Sequence, residues 1–149
     1  MRKTAVVERV FGADIREVFQ GYWDIKNWPR ALSSVVDACT EYDDDTHQYF
    51  SMIALNGDAR ETISGVRIGT PYQRLEMCQF VSPPGFTLMR GEWRFSPILE
   101  SGGSGTRVSA QREFALSDPG REAATSLVLE ALLARNLAAF DAYLNREAA

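Results

Sequence analysis

DPGREAATSLVLEALLARNLAAFDAYLNR, residues 118–146, is the stretch whose reading decides the fold. Asp118 can cap a helix through its carboxylate, and Pro119 suits a first turn because it has no N–H to leave unpaired. Gly120 is the only glycine, no further proline follows, and strong helix formers (Ala, Leu, Glu, Arg) then dominate. Leu129, Leu133, Leu137, Phe140 and Leu144 recur at spacings of three and four and so form one stripe. At 1.5 Å per residue such a helix runs about 40 Å, longer than the average globular helix. It needs a concave surface to lie in. Leu127, Val128 and Leu132 fall off the stripe, so the first half of the helix is apolar nearly all round. Two short N-terminal helices are expected to cover that surface, with a second subunit as the alternative.

The chain before this helix is strand-like, with one helical interruption. Thr4–Phe11 reads as a first strand. Asp14 can cap a helix over Ile15–Tyr22, where Ile15, Val18, Phe19 and Tyr22 share a face. Pro29 fits the first turn of a second, short helix through Ser33. Six strands follow: Val35–Tyr42, His47–Leu55, Ala59–Ile68, Tyr72–Val81, Phe86–Phe95 and Thr106–Leu116. Turn signals separate them: Asp43-Asp44-Asp45, the hairpin dipeptide Asn56-Gly57, Gly69-Thr70-Pro71, Ser82-Pro83-Pro84-Gly85, and a Gly/Ser loop over residues 100–105. The expected architecture is α+β, one domain over residues 1–149. Seven antiparallel strands wrap around the long C-terminal helix, with two short helices after the first strand. A meander that closes on its first strand curls, and the helix stripe fills only part of the hollow. The remainder is a candidate ligand cavity.

At 149 residues, 45% hydrophobic and 24% charged, the chain has the composition of an ordinary globular domain. A net charge of −4 without a basic cluster argues against nucleic acid as a partner. The N-terminus shows no apolar leader and no run reads as a membrane span, so the cytoplasm is the expected address. Cys39 and Cys78 lack metal spacing and are expected to be reduced thiols. One histidine, His47, gives no triad and no zinc set, so neither a metal nor another cofactor is expected.

Five short segments carry a family resemblance: Asp24-Ile25-Lys26-Asn27-Trp28-Pro29, Pro84-Gly85-Phe86, Glu92-Trp93-Arg94-Phe95, Arg112-Glu113-Phe114 and Ala134-Arg135-Asn136-Leu137. In their order and spacing the chain resembles the helix-grip fold of the START and birch-pollen-allergen superfamily. Within it, the chain looks most like polyketide aromatase/cyclases of the tetracenomycin type. The resemblance implies a cofactor-free enzyme that directs aldol cyclisation and dehydration of a poly-β-ketone in an internal cavity. The alternative is a non-catalytic binder or carrier of a lipid-like or quinone-like molecule. The implied partner is a hydrophobic or aromatic small molecule, with delivery on an acyl carrier protein in the enzyme case. The protein itself would be a monomer or homodimer. The family's pocket-mouth tryptophan falls on Trp28 and its fourth-strand serine on Ser64. Its arginine two residues later falls on Val66, and its helix asparagine on Glu130.

If Ser64 faces inward, Arg60 shares its face and Arg67 is solvated, by strand alternation. On the next strand Arg74, Glu76, Cys78 and Phe80 would face inward, and on the sixth Met89, Gly91, Trp93 and Phe95. Gly91 would leave room for a ligand or a crossing backbone. Enolising a β-ketone needs an oxyanion donor and a nearby base. Arg60 or Arg74, with Ser64, could be the donor, and Glu130 or Glu76 the base. Trp28, Glu76, Phe80, Phe86, Met89 and Trp93 would line the substrate site, with Trp28 and Trp93 sandwiching the ligand. The entrance is expected near Trp28 and Pro83-Pro84-Gly85. In the bland reading Arg60 and Arg74 merely pair with Glu61 or Glu76 at the rim.

Overall fold

The computed structural model describes residues 2–99 and 104–148, and the tip of the Gly/Ser loop, residues 100–103, lies outside the described residues. The elements are β1 (Lys3–Phe11), α1 (Ile15–Trp23), α2 (Asn27–Ala31), β2 (Val35–Asp43), β3 (His47–Asn56), β4 (Ala59–Thr70), β5 (Arg74–Gln79), β6 (Phe86–Pro97), β7 (Thr106–Leu116) and α3 (Glu122–Ala148). One antiparallel sheet holds all seven strands in the order β1-β7-β6-β5-β4-β3-β2. The meander closes on β1, which pairs with β7 from Lys3↔Phe114 to Phe11↔Thr106. This is the helix-grip arrangement.

Local chemistry explains most boundaries. The Asp14 carboxylate accepts from the Arg16 and Glu17 N–H groups at 2.9 and 3.1 Å and starts α1. The Asp44 carboxylate accepts from Thr46 N and His47 N at 3.0 and 2.7 Å, which folds the acidic turn and lowers its pKa to about 2. Between β3 and β4 the turn residues are Gly57 and Asp58, one position later than the Asn56-Gly57 signal implies, with Gly57 at φ 64°. A 3-10 turn over Pro119–Arg121, capped by Asp118, leads into α3.

α3 lies chiefly across β1 and β7, and the whole stripe Leu129, Leu133, Leu137, Phe140 and Leu144 is buried. Length and composition alone would let this helix cross a membrane, but the burial of that stripe makes it a core helix. The buried Asp141 fastens it to the edge strand, accepting from Arg9 Nε at 2.9 Å. Off the stripe, Leu127, Val128 and Leu132 stay exposed at 68%, 59% and 48%. The expectation that α1 and α2 cover them fails, because those two helices cover the other end of the sheet hollow.

The aromatic core joins α1, α2 and α3. Tyr22 stacks on Phe140 at 4.0 Å, and Trp28 meets both Phe140 and Trp93 edge-on. The strand opposite must leave room for this. Gly69 does so, since a Cβ there would lie 2.8 Å from the Trp23 ring. Arg67, expected to be solvated, is instead fully buried beside it. Its guanidinium donates to Tyr22 O, to Trp23 O (3.2 Å) and to Gln48 Oε1 (3.0 Å), and lies over the rings of Trp23 and Trp28. The last carbonyls of a helix have no partner within it, and Arg67 supplies one from the sheet. Burial holds the Arg67 pKa down to about 9.

Leu133→Ala is expected to cost about 2–5 kcal/mol in urea denaturation, since α3 and the sheet cannot both close on the gap. A change within experimental error would refute the gripped-helix packing. Arg67→Met keeps the apolar stem and removes the donors. Tyr22 O and Trp23 O each keep a second donor, from Trp28 Nε1 and Gln48 Nε2, but the buried Gln48 Oε1 loses its partner, so the variant should cost about 1–3 kcal/mol in the same denaturation. Wild-type stability in that variant would mean that water reaches Gln48 Oε1.

Candidate functional site

Between α2, α3 and strands β2 to β7 lies a cavity of about 670 Å³. Its floor is apolar: Met52, Ile63, Met77 and Met89 from the sheet, with Leu129 and Leu133 from α3. Trp28 forms part of its wall. Ser33, Ser34, Leu55, Asn56, Gly57, Leu132 and Arg135 are exposed lining residues and mark the mouth. The entrance is thus at the β3–β4 hairpin, not at Pro83-Pro84-Gly85. Pro84 and Gly85 line a separate hollow of about 290 Å³ with Phe86.

Strand parity decides which polar groups reach this cavity. On β4 the inward residues are Ile63, Gly65, Arg67 and Gly69, so Arg60 and Ser64 fall on the convex outer face. Ser64 Oγ lies 3.1 Å from Ser51 Oγ, and Arg60 is exposed. Face-to-face pairing carries the same parity to β5, where Leu75, Met77 and Gln79 point inward. Arg74, Glu76 and Cys78 therefore lie outside, and Phe80 is 63% exposed. Arg74 pairs with Glu76 at 3.5 Å and with Glu92 at 3.8 Å, as the bland reading held for it. Glu130 is half-buried on α3 but is not among the residues lining the cavity. Of the four expected catalytic residues, none faces the cavity.

The expected binding residues divide. Trp28 and Met89 line the cavity, whereas Glu76, Phe80 and Phe86 do not. Trp28 is only 5% exposed and donates its Nε1–H to Tyr22 O at 3.0 Å, so it is a fixed wall and no cover for an entrance. Trp93 is fully buried beneath the cavity, its ring 5.7 Å from that of Trp28 at an interplanar angle of 88°. Two perpendicular rings in contact leave no slot, so the sandwich does not form.

The polar group that does reach the cavity is Arg112. On β7 the inward positions are Thr106, Val108, Ala110, Arg112, Phe114 and Leu116, so Arg112 interrupts an otherwise largely apolar face. Gly91 is its cross-strand partner, and a Cβ at that glycine would lie 2.5 Å from Arg112 Nη1. The room at Gly91 is thus taken by the arginine, not by a ligand or a crossing backbone. The guanidinium sits 4.8 Å above the Trp93 ring. Among the described residues its one hydrogen bond is Nη1 to Gln111 O at 3.2 Å, and it has no ion pair. Burial lowers its pKa to about 10, so it remains a cation at neutral pH. Asn136 from α3 and Gln79 from β5 are the other polar lining residues behind the mouth. The arrangement offers an unpaired cation and amide groups to an oxygen-bearing, otherwise apolar ligand. No group of His, Cys, Asp or Glu among the described residues could hold a metal ion.

Solved structures share this fold at low sequence identity. The protein TTHA0849 of Thermus thermophilus superimposes with a TM-score of 0.81 at 14% identity, over 99% of this chain and all of that one. The ZhuI aromatase/cyclase from Streptomyces sp. R1128 gives 0.77 at 16%, over 98% and 93%. The di-domain aromatase/cyclase StfQ of the steffimycin biosynthetic pathway gives 0.76 at 20%, over 97% of this chain and 52% of StfQ. No curated protein matches the sequence. Residues 11–141, from the end of β1 into α3, match the family described as "Polyketide cyclase / dehydrase and lipid transport", and the chain belongs to that family.

Proposed function

We propose that the chain is a cofactor-free polyketide cyclase acting in the cytoplasm. The observation that carries this reading is Arg112, a half-buried guanidinium with no counter-charge among the described residues, held over Trp93 in the wall of a largely apolar cavity. A cation drawn partly out of water without an ion-pair partner costs stability, and its use is to meet negative charge. A poly-β-ketone would enter beside the β3–β4 hairpin, from solution or from an acyl carrier protein, and lie along Met52, Ile63, Met77 and Met89. One carbonyl oxygen would reach Arg112. When the methylene between two carbonyls loses its proton, charge gathers on that oxygen, and the guanidinium stabilises it. The enolate carbon then bonds to a second carbonyl carbon, whose oxygen takes up a proton, and loss of water gives the conjugated ring. With no carboxylate or imidazole among the described lining residues, water is the proton acceptor for an already acidic methylene.

That missing base also favours a second reading, a carrier of hydrophobic molecules that uses Arg112 only as an anchor. Product profiling with ketosynthase-made poly-β-ketones separates the two. In the enzyme, Arg112→Met should lower turnover by about 10²–10³-fold, the usual cost of an oxyanion donor. Arg60→Ala and Arg74→Ala, which alter the outer face, should leave the product pattern unchanged. If Arg112→Met also leaves it unchanged while an aromatic ligand still binds, the carrier reading stands and the cyclase reading falls.

A further inference from the structure

The outer face of the sheet, turned away from the cavity, is divided in shape and in charge. Cross-strand pairing sets Tyr42, Tyr49, Val66, Cys78 and Arg90 side by side in one row from β2 to β6. The next row holds His47, Ile68, Glu76 and Glu92. On the β2–β3 side aromatic rings form a ridge. Tyr49 lies 5.5 Å from Tyr42 and 6.1 Å from Phe80, and all three rings are exposed. Tyr42 Oη donates to Asp44 Oδ2 at 3.0 Å, which steadies the end of the ridge. Exposed rings that already hold one another lose little freedom on docking. On the β5–β6 side the same two rows sink into a hollow of about 260 Å³, walled by Val66, Ile68, Glu76, Cys78, Arg90 and Glu92. The β2–β3 hairpin carries Asp37, Glu41, Asp43, Asp44 and Asp45, all exposed, and neither Lys nor Arg. Around the hollow the outermost charges are Arg74, Arg90 and Arg94, with Glu92 and Glu113 set more deeply beneath them.

We propose that this face is the contact between two copies of the chain, related by a two-fold axis that runs along β4. Such an axis lays β3 of one copy over β5 of the other, and β2 over β6, with their rows in step. Each tyrosine ridge then seats in the other copy's hollow. Tyr49 meets the partner's Cys78, and Tyr42 meets the partner's Arg90, a guanidinium that suits a ring face. Val66 and Ile68 meet their own counterparts at the axis. The acidic turn Asp43-Asp44-Asp45 faces the partner's Arg74 and Arg94, which are themselves cross-strand neighbours. Tyr, Phe and Arg are the side chains that interfaces favour. Five strands at about 4.8 Å, over about 20 Å of their length, offer roughly 500 Å² per copy. A total of about 1,000 Å² is the lower limit for a specific interface, so the dimer exchanges with monomer at micromolar concentrations. The cavity and its mouth lie on the other side of the sheet and stay open in both copies. The inference is therefore independent of the cyclase reading.

Sedimentation equilibrium over a range of concentrations should show a monomer–dimer exchange that weakens with added salt, because the facing charges are exposed. Tyr49→Ala removes a ring at the centre of the contact and should raise the dissociation constant by about thirtyfold, as at an interface hot spot. Arg94→Glu, at an exposed position, should raise it by about tenfold through repulsion from the acidic turn. A cross-link reads the register directly. Tyr49→Cys in a Cys39→Ser background, oxidised with diamide, should give covalent dimers through the partner's Cys78. Within one chain those two positions lie two strands apart, roughly 9.5 Å, which is too far for a disulfide. A protein that stays monomeric into the hundreds of micromolar overturns the proposal. A dimer that Arg94→Glu leaves intact overturns it too, even if Tyr49→Ala fails to fold. So does a dimer that is trapped by Leu127→Cys, on the exposed side of α3, and not by Tyr49→Cys.

Discussion

α1 ends inside the protein, and the need to satisfy its last carbonyls organises one end of the molecule. Tyr22 O accepts from both Trp28 Nε1 and the Arg67 guanidinium, and Trp23 O from Arg67 and Gln48. Three elements are thereby tied together: α2 through Trp28, β4 through Arg67, and β3 through Gln48. A buried carbonyl without a partner costs about as much as a core methyl group or two, so these ties are obligatory. They fix Trp28 as a wall and Tyr22 against Phe140 of α3. The cavity exists because α2 stops here and α3 lies toward β1, leaving the sheet from β2 to β6 uncovered between them.

The elements are legible in the sequence because their signals are local. A capping aspartate, a helix stripe or a turn glycine acts over a few residues, and all seven strands and three helices follow from such signals. The parity of β4 is not legible. The resemblance turns Ser64 inward, yet Ile63, Gly65, Arg67 and Gly69 face the core. That parity fails because the inward space is filled from α1 and α2. Gly69 leaves room for Trp23, and Arg67 supplies hydrogen bonds to helix carbonyls. Register then spreads the error. Val66 pairs with Cys78 and Ile68 with Glu76, so a wrong face on β4 brings Arg74, Glu76 and Phe80 with it. Met89, Gly91, Trp93 and Phe95 fall on the expected side because two large aromatic side chains on one parity leave no doubt about the inner face of β6.

Arg112 carries a usable signal of its own. Thr106, Val108, Ala110, Phe114 and Leu116 alternate cleanly, and a charged residue at the same parity has the same standing as Glu130 on its helix. A carboxylate on a helix stripe can escape sideways, since successive helix positions turn by only part of a circle. Glu130 does this and ends half-buried outside the cavity. A strand has two faces and no intermediate position, so Arg112 cannot leave the inner side. Its exit is further closed by the neighbouring strand, where Gly91 gives its guanidinium a berth against Trp93.

The two inward-facing arginines, Arg67 buried and Arg112 half-buried, show how the same residue serves opposite ends. Both guanidinium groups are held below their ordinary pKa by burial, Arg67 to about 9 and Arg112 to about 10. A cation whose folded-state pKa lies below its unfolded value lowers stability at every pH below the folded pKa, and that load lifts only as pH rises through the folded value toward the unfolded one. At neutral pH both therefore weigh on the fold. Arg67 offsets its load with three acceptors and joins α1 to the sheet. Arg112 has one backbone oxygen and otherwise faces the cavity. A fold that keeps the second kind of arginine retains a group whose natural partner comes from outside the chain. Negative charge placed on that guanidinium gains most where the wall is apolar and water is scarce, because the same desolvation that burdens the cation strengthens its attraction for an oxyanion.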